Sequence, residues 1–348
     1  MFFSDSARCE RASVCSCGEV NKDVSHDVND DVSIIIPAKD RFWALPKTIE
    51  SCRSKTLNIQ IIVIDDASTD GTAAWLQKQR DITTIQGEGW GKPSGVNRAV
   101  AIADGTWLRF LDSDDWLNPG ANEKQFAIGE REGADVVVAG YDEYSDETFV
   151  RSHPEIALDD FIARQLGEAS MGHYSGFLFR RDFVKGIPHR THFPAGDFAS
   201  RDDRCFVLEV AIRHPRIAVC DTPALCHRHH KQPRLQFRNG LRGVGTNIQQ
   251  LYIYRQILAL LQNRGELTDR RKRAAINVLW PLAHRIAISH LDEACRVADW
   301  IHELDPDFRA PEKGVLGSLY RQLGFRLTER ILSARRRMLS PLRSSTGG

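Results

Sequence analysis

The sequence lacks the features of a membrane-spanning, secreted or nucleic-acid-binding protein. Its apolar runs are far shorter than the roughly 20 residues that a membrane-spanning helix needs, and its N-terminus has no apolar segment typical of a signal peptide. The 47 Lys and Arg residues almost balance the 46 Asp and Glu residues, which leaves a net charge of +1 and no basic surface for nucleic acid. We therefore expect a cytoplasmic chain without a nucleic acid partner.

A cysteine pattern typical of disulfide-rich or zinc-binding proteins is also missing. The eight cysteines have no repeated spacing, and Cys15 and Cys17 form only a C-x-C in a polar segment that also contains Cys9. Reduced thiols are the expected state. Residues 1–30 are rich in Ser, Asp, Asn and Glu, and we predict that they form a flexible leader.

Short apolar strands alternate with helical segments in the first third of the chain. Buried parallel strands have continuous apolar runs, whereas helices have apolar residues every three or four positions. The alternation therefore predicts a doubly wound, mainly parallel α/β sheet. The predicted strands are residues 32–37, 59–64, 82–85 and 107–111, the predicted helices lie at about 41–52, after residue 69 and at 94–103, and a further strand is expected at 134–141.

Two of the predicted strands end in clusters of carboxylates. Asp65 and Asp66 follow the second strand, and three acids within residues 112–115 follow the fourth. Carboxyl ends of parallel strands meet at one edge, where open α/β sheets bind ligands. One cluster can accept hydrogen bonds from a base or ribose, and the other can hold a divalent cation on a diphosphate. Alternatively, the second cluster is an acidic turn that caps the next helix through Asp115 or Asn118.

The glycine-rich loop between the acidic clusters matches neither of two common nucleotide-binding motifs. Its glycines at positions 87, 89, 91 and 95 do not form G-x-G-x-x-G, and no Lys-Ser or Lys-Thr pair follows them. Dinucleotide-binding and P-loop sites are therefore excluded at this position.

Three motifs together resemble those of family 2 glycosyltransferases of the GT-A fold. They are residues 32–37 (VSIIIP), 61–72 (IIVIDDASTDGT) and 110–115 (FLDSDD), and the resemblance extends over about residues 31–235. It implies inverting, metal-dependent transfer from a nucleoside diphosphate sugar to a glycan, lipid-linked or other hydroxyl acceptor in cell envelope polysaccharide biosynthesis.

The resemblance also assigns roles to the acids. Asp65 and Asp66 correspond to the uracil-binding aspartate of the family. Asp112 and Asp114 are the first and last acids of its D-x-D motif, and Asp114 is the expected direct ligand of Mg²⁺ or Mn²⁺.

Cations near the nucleotide complete the implied donor site. Arg41 and Lys92 lie near positions where the family places a cation, although each fits a solvated surface charge equally well. The sequence departs from the family at Ala38-Lys39-Asp40-Arg41 and at Gly95-Val96-Asn97, which leaves the base of the donor open. The full implied donor-binding set is Pro37, Lys39, Arg41, Asp65, Asp66, Lys92, Asp112, Ser113 and Arg228.

The expected catalytic base comes from the pair Asp202 and Asp203. The family often has Glu-Asp at this point, and its aspartate deprotonates the acceptor hydroxyl, so Asp203 is the expected base and Asp202 corresponds to the glutamate. Inverting transfer needs such a base. The alternative is N-terminal capping of the predicted helix by these acids.

Two further segments resemble parts of the family's site. Residues 171–181 resemble an acceptor-side strand, in which Gly172 and Gly176 either contact the acceptor or permit close backbone packing. Residues 226–230 resemble a Tyr-Arg-x-His stretch that returns to the nucleotide, which makes Arg228 a donor-binding candidate and His229 a metal-binding candidate. A solvated basic loop is an equally good interpretation.

The chain beyond residue 235 is predicted to be helical. Residues 236–310 form a helical extension that resembles one tetratricopeptide-type hairpin, and residues 311–348 form a basic amphipathic tail. The tail either lies on an anionic membrane at its inner face or packs on the enzyme. Its predicted apolar stripe consists of Leu316, Tyr320, Leu323, Leu327, Ile331, Ala334 and Met338.

Two rival functions remain at this stage. A sugar-phosphate nucleotidyltransferase has a similar fold, but it carries a glycine-rich loop directly after its first strand, and residues 37–41 contain no glycine. A non-catalytic scaffold that binds sugar nucleotides fits the departures from the family pattern.

Overall fold

A computed structural model describes residues 30–156, 159–194, 200–232 and 240–339. The predicted leader, with its three cysteines, and the last nine residues of the predicted tail lie outside these ranges. Within the ranges, no helix has the length and apolar character needed to cross a bilayer.

The described strands form one nine-stranded mixed sheet. Its order is β3-β2-β1-β4-β8-β6-β9-β5, and β7 pairs with β6 as a hairpin. The strands are β1 Val32–Ala38, β2 Ile59–Asp66, β3 Thr83–Gly87, β4 Trp107–Phe110, β5 Trp116–Leu117, β6 Val136–Ser145, β7 Thr148–His153, β8 Leu178–Arg180 and β9 Ile217–His229. The predicted α/β class is confirmed.

The first four strands in this order are parallel, and they determine where the acids lie. Strand β1 pairs in parallel with both β2 and β4, and Ala38 is in register with Asp65. Apolar side chains from both faces of these strands are fully buried, among them Ile34 and Ile35. The carboxyl ends of β1, β2 and β4 therefore share one edge, as the sequence predicts.

The other half of the sheet mixes strand directions. Strand β8 is antiparallel to β4 and β6, whereas β9 is parallel to β6 and antiparallel to β5. The pairing of Trp116 with Cys226 brings the end of β9 beside the acids that follow β4. Residues more than 100 positions apart thereby meet at the same edge.

In the described part of the chain, seven helices lie within the sheet region and four follow it. They are α1 Leu45–Cys52, α2 Thr72–Leu76, α3 Lys92–Ile102, α4 Ala121–Glu132, α5 Phe161–Ala163, α6 Arg181–Val184, α7 Asp202–Ala211, α8 Gly240–Asn263, α9 Asp269–Ala287, α10 Leu291–Leu304 and α11 Gly314–Leu339. A π-helical turn, Arg164–Glu168, continues α5, and a 3₁₀ turn spans Tyr174–Gly176.

The capping alternative for Asp115 and Asn118 is wrong. Helix α4 begins at Ala121, after Gly120 in a left-handed conformation at the N-cap. The Asn118 side-chain amide instead donates to Asp142 Oδ2 at 2.8 Å, and Asp115 is buried. The acidic turn is held by tertiary contacts, which local spacing does not reveal.

The predicted helical extension is confirmed and packs on the sheet region. Its apolar core continues into residues of α5 and α7, including Ile162 and Leu208. The Tyr254 hydroxyl on α8 donates to the Leu166 carbonyl at 3.1 Å. A Cβ on Gly167 would lie 2.9 Å from the Ala274 carbonyl oxygen on α9. The extension is therefore closely apposed to the sheet region.

The single apolar stripe predicted for the tail is divided in the structure. Gly324, at φ 71° and ψ 178°, breaks α11 into two segments with different orientations. Tyr320 packs into the helical core, as the packing alternative expects, whereas Leu323, Leu327 and Ile331 are exposed. Glu329 is buried and accepts a hydrogen bond from the Tyr320 hydroxyl. The Met338 side chain lies outside the described part.

A buried arginine on strand β4 forms hydrogen bonds with helix α4 and with the 3₁₀ turn. Arg109 is fully buried, and its guanidinium donates to Asn122 Oδ1 at 3.0 Å, Gln125 Oε1 at 2.5 Å and the Ser175 carbonyl at 3.2 Å. We expect Arg109→Met to lower the free energy of unfolding by about 2–4 kcal/mol, because these acceptors would be left unsatisfied. Urea titration measures the loss. The exposed Arg131→Met is the matched control and should change stability by less than about 0.5 kcal/mol, so equal effects would contradict this role.

Candidate active site

Asp65 and Asp66 end strand β2 and hold the loops around them. The buried Asp65 carboxylate accepts a hydrogen bond from Gln86 Nε2 at 3.1 Å. Asp66 accepts from the backbone N–H groups of Trp90 at 2.7 Å and Gly91 at 2.9 Å. Carboxylate oxygens have two lone pairs each, so both acids can still accept a hydrogen bond from a ligand. Their role toward a base stays a prediction.

The turn after β1 brings Arg41 to the acids after β4. Arg41 Nε lies 3.7 Å from Asp114 Oδ2, and Nη1 donates to the Lys39 carbonyl at 3.1 Å. The Arg41 side chain is only 13% exposed, so it is not a solvated surface charge. Lys39 is exposed and Pro37 is half-buried at the same edge.

Lys92 opens helix α3 and pairs with Asp112 across the crevice. Lys92 Nζ lies 2.7 Å from Asp112 Oδ1. Although burial disfavours its charge, the carboxylates of Asp112, Asp202 and Asp203 raise the pKa of Lys92. Burial likewise disfavours the Asp112 charge, but Lys92 lowers the pKa of Asp112 to about 2. Lys92 is therefore a fixed cation among acids and not a surface charge.

His230 contacts Asp114 at the end of strand β9. His230 Nε2 lies 2.9 Å from Asp114 Oδ2, and the imidazole packs edge-on against Trp43 at 4.8 Å between ring centroids. His229 Nε2 instead lies 3.0 Å from Glu143 Oε1 on strand β6. His230 is therefore a further candidate metal ligand, and the metal-binding role of His229 stays a prediction.

A second group of candidate ligands surrounds Asp115. Ligand atoms of Asp115, His173 and His227 all lie within 4.8 Å of one another. His227 Nδ1 lies 3.0 Å from Asp115 Oδ2. Burial raises the pKa of Asp115 and lowers the pKa of His173, so both groups are biased toward their neutral forms. The neighbouring Ser113 is buried, and its carbonyl accepts a hydrogen bond from Thr48 Oγ1 at 3.1 Å.

Arg228 lies between aromatic rings at the end of strand β9. Its guanidinium carbon lies 5.3 Å from the Trp43 ring centroid and 4.8 Å from that of Trp116. Arg228 Nη2 lies 2.8 Å from Glu147 Oε1, on the turn of the β6–β7 hairpin. The Arg228 backbone N–H donates to Asp115 Oδ1 at 2.8 Å. These contacts fix the end of β9 beside the acids.

Asp202 begins helix α7 and is held in a buried network. Its Oδ2 lies 3.2 Å from His189 Nδ1, and His189 Nε2 lies 2.8 Å from the Tyr174 hydroxyl. The His189 ring stacks on Phe206 with 4.5 Å between centroids. The N-cap is Arg201, so neither acid caps this helix. The network leaves Asp202 poorly placed to reach a ligand.

Asp203 has the environment expected of a general base. Its Oδ1 accepts a hydrogen bond from the Arg204 backbone N–H at 2.7 Å. Burial, followed by the charge of Asp202, raises the pKa of Asp203, while Lys92 opposes this shift. The charges of Lys92 and Asp112 thus both act on the Asp203 carboxyl. The structure thus brings together the two ends of the predicted site, which are 91 positions apart in the sequence.

The glycines of the predicted acceptor-side strand serve packing. A Cβ on Gly172 would lie 2.6 Å from Phe177 Cζ, and one on Gly176 would lie 3.1 Å from the Ala139 carbonyl oxygen. Only Leu178–Arg180 of the predicted segment is a strand. Acceptor contact by these glycines stays a prediction.

Sequence reasoning missed the histidines that organise the acids. His189 contacts Asp202, His227 contacts Asp115, and His173 belongs to the group around Asp115. These histidines lie on different elements of the fold. The histidines within residues 226–230 were a signal from which this contact with the acids could have been predicted. His189 had none, because it lies 13 positions from its partner Asp202 and shares no motif with it.

Comparisons with known proteins agree with this geometry. The profile of glycosyl transferase family 2 matches residues 33–188. EpsH of Bacillus subtilis (strain 168), which bears a glycosyltransferase name, is 24% identical over 266 residues, or 69% of this chain and 72% of that protein. The UDP-Glc:alpha-D-GlcNAc-diphosphoundecaprenol beta-1,3-glucosyltransferase WfaP of Escherichia coli is 44% identical over 92 residues, or 24% of this chain and 36% of that protein.

A solved structure shares the whole architecture. Residues 1–349 of S. aureus TarS in complex with UDP-GlcNAc superpose with a TM-score of 0.55, covering 88% of this chain and 92% of that one at 18% identity. This likeness establishes the fold, with its helical C-terminal part. The fold and the matches define a glycosyltransferase of the GT-A type. Within that class, the domain that spans residues 33–188 is similar to glycosyl transferase family 2.

Proposed function

We propose that this enzyme is an inverting, metal-dependent glycosyltransferase that uses a nucleoside diphosphate sugar. The acceptor is a hydroxyl group of a glycan, free or lipid-linked. The observation that carries the proposal is the electrostatic group of Lys92, Asp112 and Asp203, which sets a cation and a candidate base beside the D-x-D acids. The donor of WfaP, UDP-Glc, and the UDP-GlcNAc in the TarS complex support a nucleotide sugar.

The residues present fit a divalent cation at Asp114 and Asp112. Carboxylate oxygens are the ligands that Mg²⁺ and Mn²⁺ prefer. Asp112 pairs with Lys92, and Asp114 lies beside Arg41 and His230. His230 Nδ1 is buried and has no hydrogen-bond partner among the described residues. His230 Nε2, which faces Asp114 Oδ2 at 2.9 Å, is the candidate nitrogen ligand.

The chain's own residues suffice to outline the transfer. Asp203 accepts the proton of the acceptor hydroxyl, whose oxygen forms the new bond to the anomeric carbon of the sugar. The bond from that carbon to the diphosphate oxygen breaks on the opposite face, which inverts the anomeric configuration. Lys92 and Arg41 offset the negative charge that builds on the leaving diphosphate. A bound divalent ion would add electrostatic stabilisation of the same charge.

A donor screen tests the proposal against the non-catalytic alternative. Thermal unfolding is followed with UDP-, GDP- and dTDP-sugars, each with Mn²⁺ and each with EDTA. A donor that binds the folded state raises the apparent stability, and we expect this for at least one donor only when Mn²⁺ is present. Slow hydrolysis of that donor without acceptor should follow. Donor binding without any hydrolysis would favour a scaffold, and no binding would reject the donor class.

Peripheral membrane contact is a further part of the proposal, supported by the exposed face of α11. Leu327 and Ile331 are exposed beside the exposed Arg330 and Arg335. Such a surface can lie in the headgroup region of an anionic bilayer. We expect the chain to sediment with phosphatidylglycerol vesicles, to stay soluble with phosphatidylcholine vesicles, and to detach as salt rises.

A double variant serves as the control for membrane contact. Replacing Leu327 and Ile331 with Gln should abolish sedimentation and leave folding intact, because both side chains are exposed. Unchanged sedimentation of this variant would exclude contact through α11.

A further inference from the structure

The helical extension contains a groove between α8 and α10 that lies apart from the acids. Its volume is about 590 Å³, within the usual range of roughly 300–1,000 Å³ for ligand sites. Its lining includes Arg255, Gln262, Arg296, Asp299, Trp300 and Glu303. None of these residues takes part in the proposed transfer.

We propose that this groove is a carbohydrate-binding site that holds distal sugar residues of a glycan acceptor. The proposal rests on the proposed function only for the identity of that glycan, because binding can be measured without catalysis. The groove has room for about two or three hexose residues.

The lining matches the two kinds of surface that a sugar presents. Trp300 is partly exposed, and together with Leu258 and Leu304 it offers an apolar floor for the C–H face of a pyranose ring. Asp299, Glu303 and Gln262 supply oxygen acceptors and amide donors for hydroxyl groups.

The groove carries charges of both signs, which favours a neutral ligand. Its lining includes two arginines, Arg255 and Arg296, and two acids, Asp299 and Glu303, and the neighbouring Glu293 forms ion pairs with both arginines. An anionic or cationic ligand would meet a like charge at close range, whereas hydroxyl groups can bond to both signs. A neutral glycan therefore fits better than a nucleotide or a basic peptide.

The arginines of the groove are partly preorganised. Glu293 Oε1 lies 3.1 Å from Arg255 Nη2, and Glu293 Oε2 lies 2.9 Å from Arg296 Nε. The Arg255 guanidinium carbon lies 5.8 Å from the Trp300 ring centroid. Side chains that are already held lose less conformational entropy when a ligand binds.

The position of the groove on α8 explains why it would bind a distal part of the acceptor. Gln249 lies on one face of α8, and its Oε1 accepts a hydrogen bond from the Ser200 backbone N–H. Ser200 is two residues before Asp202 in the sequence. Leu258 lies nine residues after Gln249, about 14 Å along the helix and on its opposite side. A sugar in the groove is thus separated from the catalytic acids by the thickness of α8, so several linked residues are needed to reach both.

Saturation-transfer NMR and calorimetry of the full chain test the proposal. The probes are chitotriose, cellotriose and maltotriose, without donor or metal. We expect at least one to bind, with a Kd on the order of 1 mM. Trp300→Ala should weaken binding at least tenfold, and Trp300→Tyr, which keeps an aromatic face, should retain most of it. Asp299 lies on the exposed rim, and Asp299→Asn should weaken trisaccharide binding several-fold. Because this substitution is exposed, it tests the groove even if the Trp300 variants misfold.

The outcomes that would contradict the groove proposal can be distinguished from those that would contradict the proposed catalysis. Absence of binding by all three trisaccharides, or equal binding by Trp300→Ala, would overturn the proposal. A change in sedimenting mass caused by Trp300→Ala would assign the groove to a second copy of the chain and would also overturn it. Donor hydrolysis with Mn²⁺ should be the same in Trp300→Ala and the native chain. Its absence in both would reject the proposed catalysis, while trisaccharide binding would still decide the groove.

Discussion

Asp203→Asn should lower turnover by at least about a hundredfold while donor affinity stays near its native value. A positioned general base typically contributes 10²–10⁴-fold to the rate, and asparagine cannot accept the acceptor proton. The substitution preserves size and the hydrogen bond from the Arg204 N–H, so the start of helix α7 should keep its shape. Single-turnover rates with a saturating donor, together with donor titration, measure the two quantities separately.

The pH dependence gives a second measure of the same role. Burial and the charge of Asp202 raise the pKa of Asp203 above its ordinary value. The base works only when deprotonated, so turnover should fall as the pH drops through this raised pKa, above the range of an ordinary aspartate. The native enzyme should show this acidic limb, and Asp203→Asn should lose it. A variant with native turnover would reject Asp203 as the base.

Asp202→Asn is the matched control, since it makes the same chemical change one residue away. Asp202 is buried against His189, and we expect the variant to lose stability more than chemistry. The remaining turnover of Asp202→Asn should still fall at acidic pH, as in the native enzyme. If Asp202→Asn instead carries the whole loss of turnover and Asp203→Asn does not, the assignment of the pair is shifted by one residue.

The acids of the site could be predicted because they depend on local sequence and one rule of sheet geometry. Each acidic pair directly follows an apolar strand, and parallel strands place such ends at a common edge. Lys92 was a weaker candidate. Its pairing with Asp112 depends on how α3 packs across the sheet, which no local pattern encodes.

His230, which the sequence analysis did not single out, shows where sequence reasoning stops. Strand β9 ends at His229, and along a strand the side chains alternate between faces. His227 and His229 therefore share a face, with their ring centroids 4.8 Å apart, and His230 leaves the strand toward Asp114. Choosing between His229 and His230 requires the strand end to within one residue, and strand ends are the least predictable feature of a sequence.

The break in helix α11 could have been predicted from the sequence. Gly324 lies inside the apolar stripe and adopts a positive φ, which other residues rarely do. The break there sends Tyr320 and Leu327 into different environments. A glycine inside a predicted amphipathic helix was thus a reason to treat the two halves separately.

Asp114→Asn should abolish metal-dependent donor binding and lower turnover at least about a hundredfold. Loss of a group that supports a metal ligand already costs 10–100-fold, and a direct ligand should cost more. The side chain is about 20% exposed at the end of the sheet, so the fold should survive. Donor titration with Mn²⁺ and with EDTA, and electron paramagnetic resonance of bound Mn²⁺, measure the effect.

His173→Ala distinguishes the two candidate metal positions. His173 belongs to the group with Asp115 and His227, which is the alternative set of ligands beside Asp114. If the ion binds at Asp114 and Asp112, His173→Ala should retain Mn²⁺ binding and metal-dependent donor affinity, whereas Asp114→Asn should lose both. The reverse pattern would place the ion on Asp115, His173 and His227. In that case Asp114 would act through Arg41 and His230, the two side chains that lie beside it.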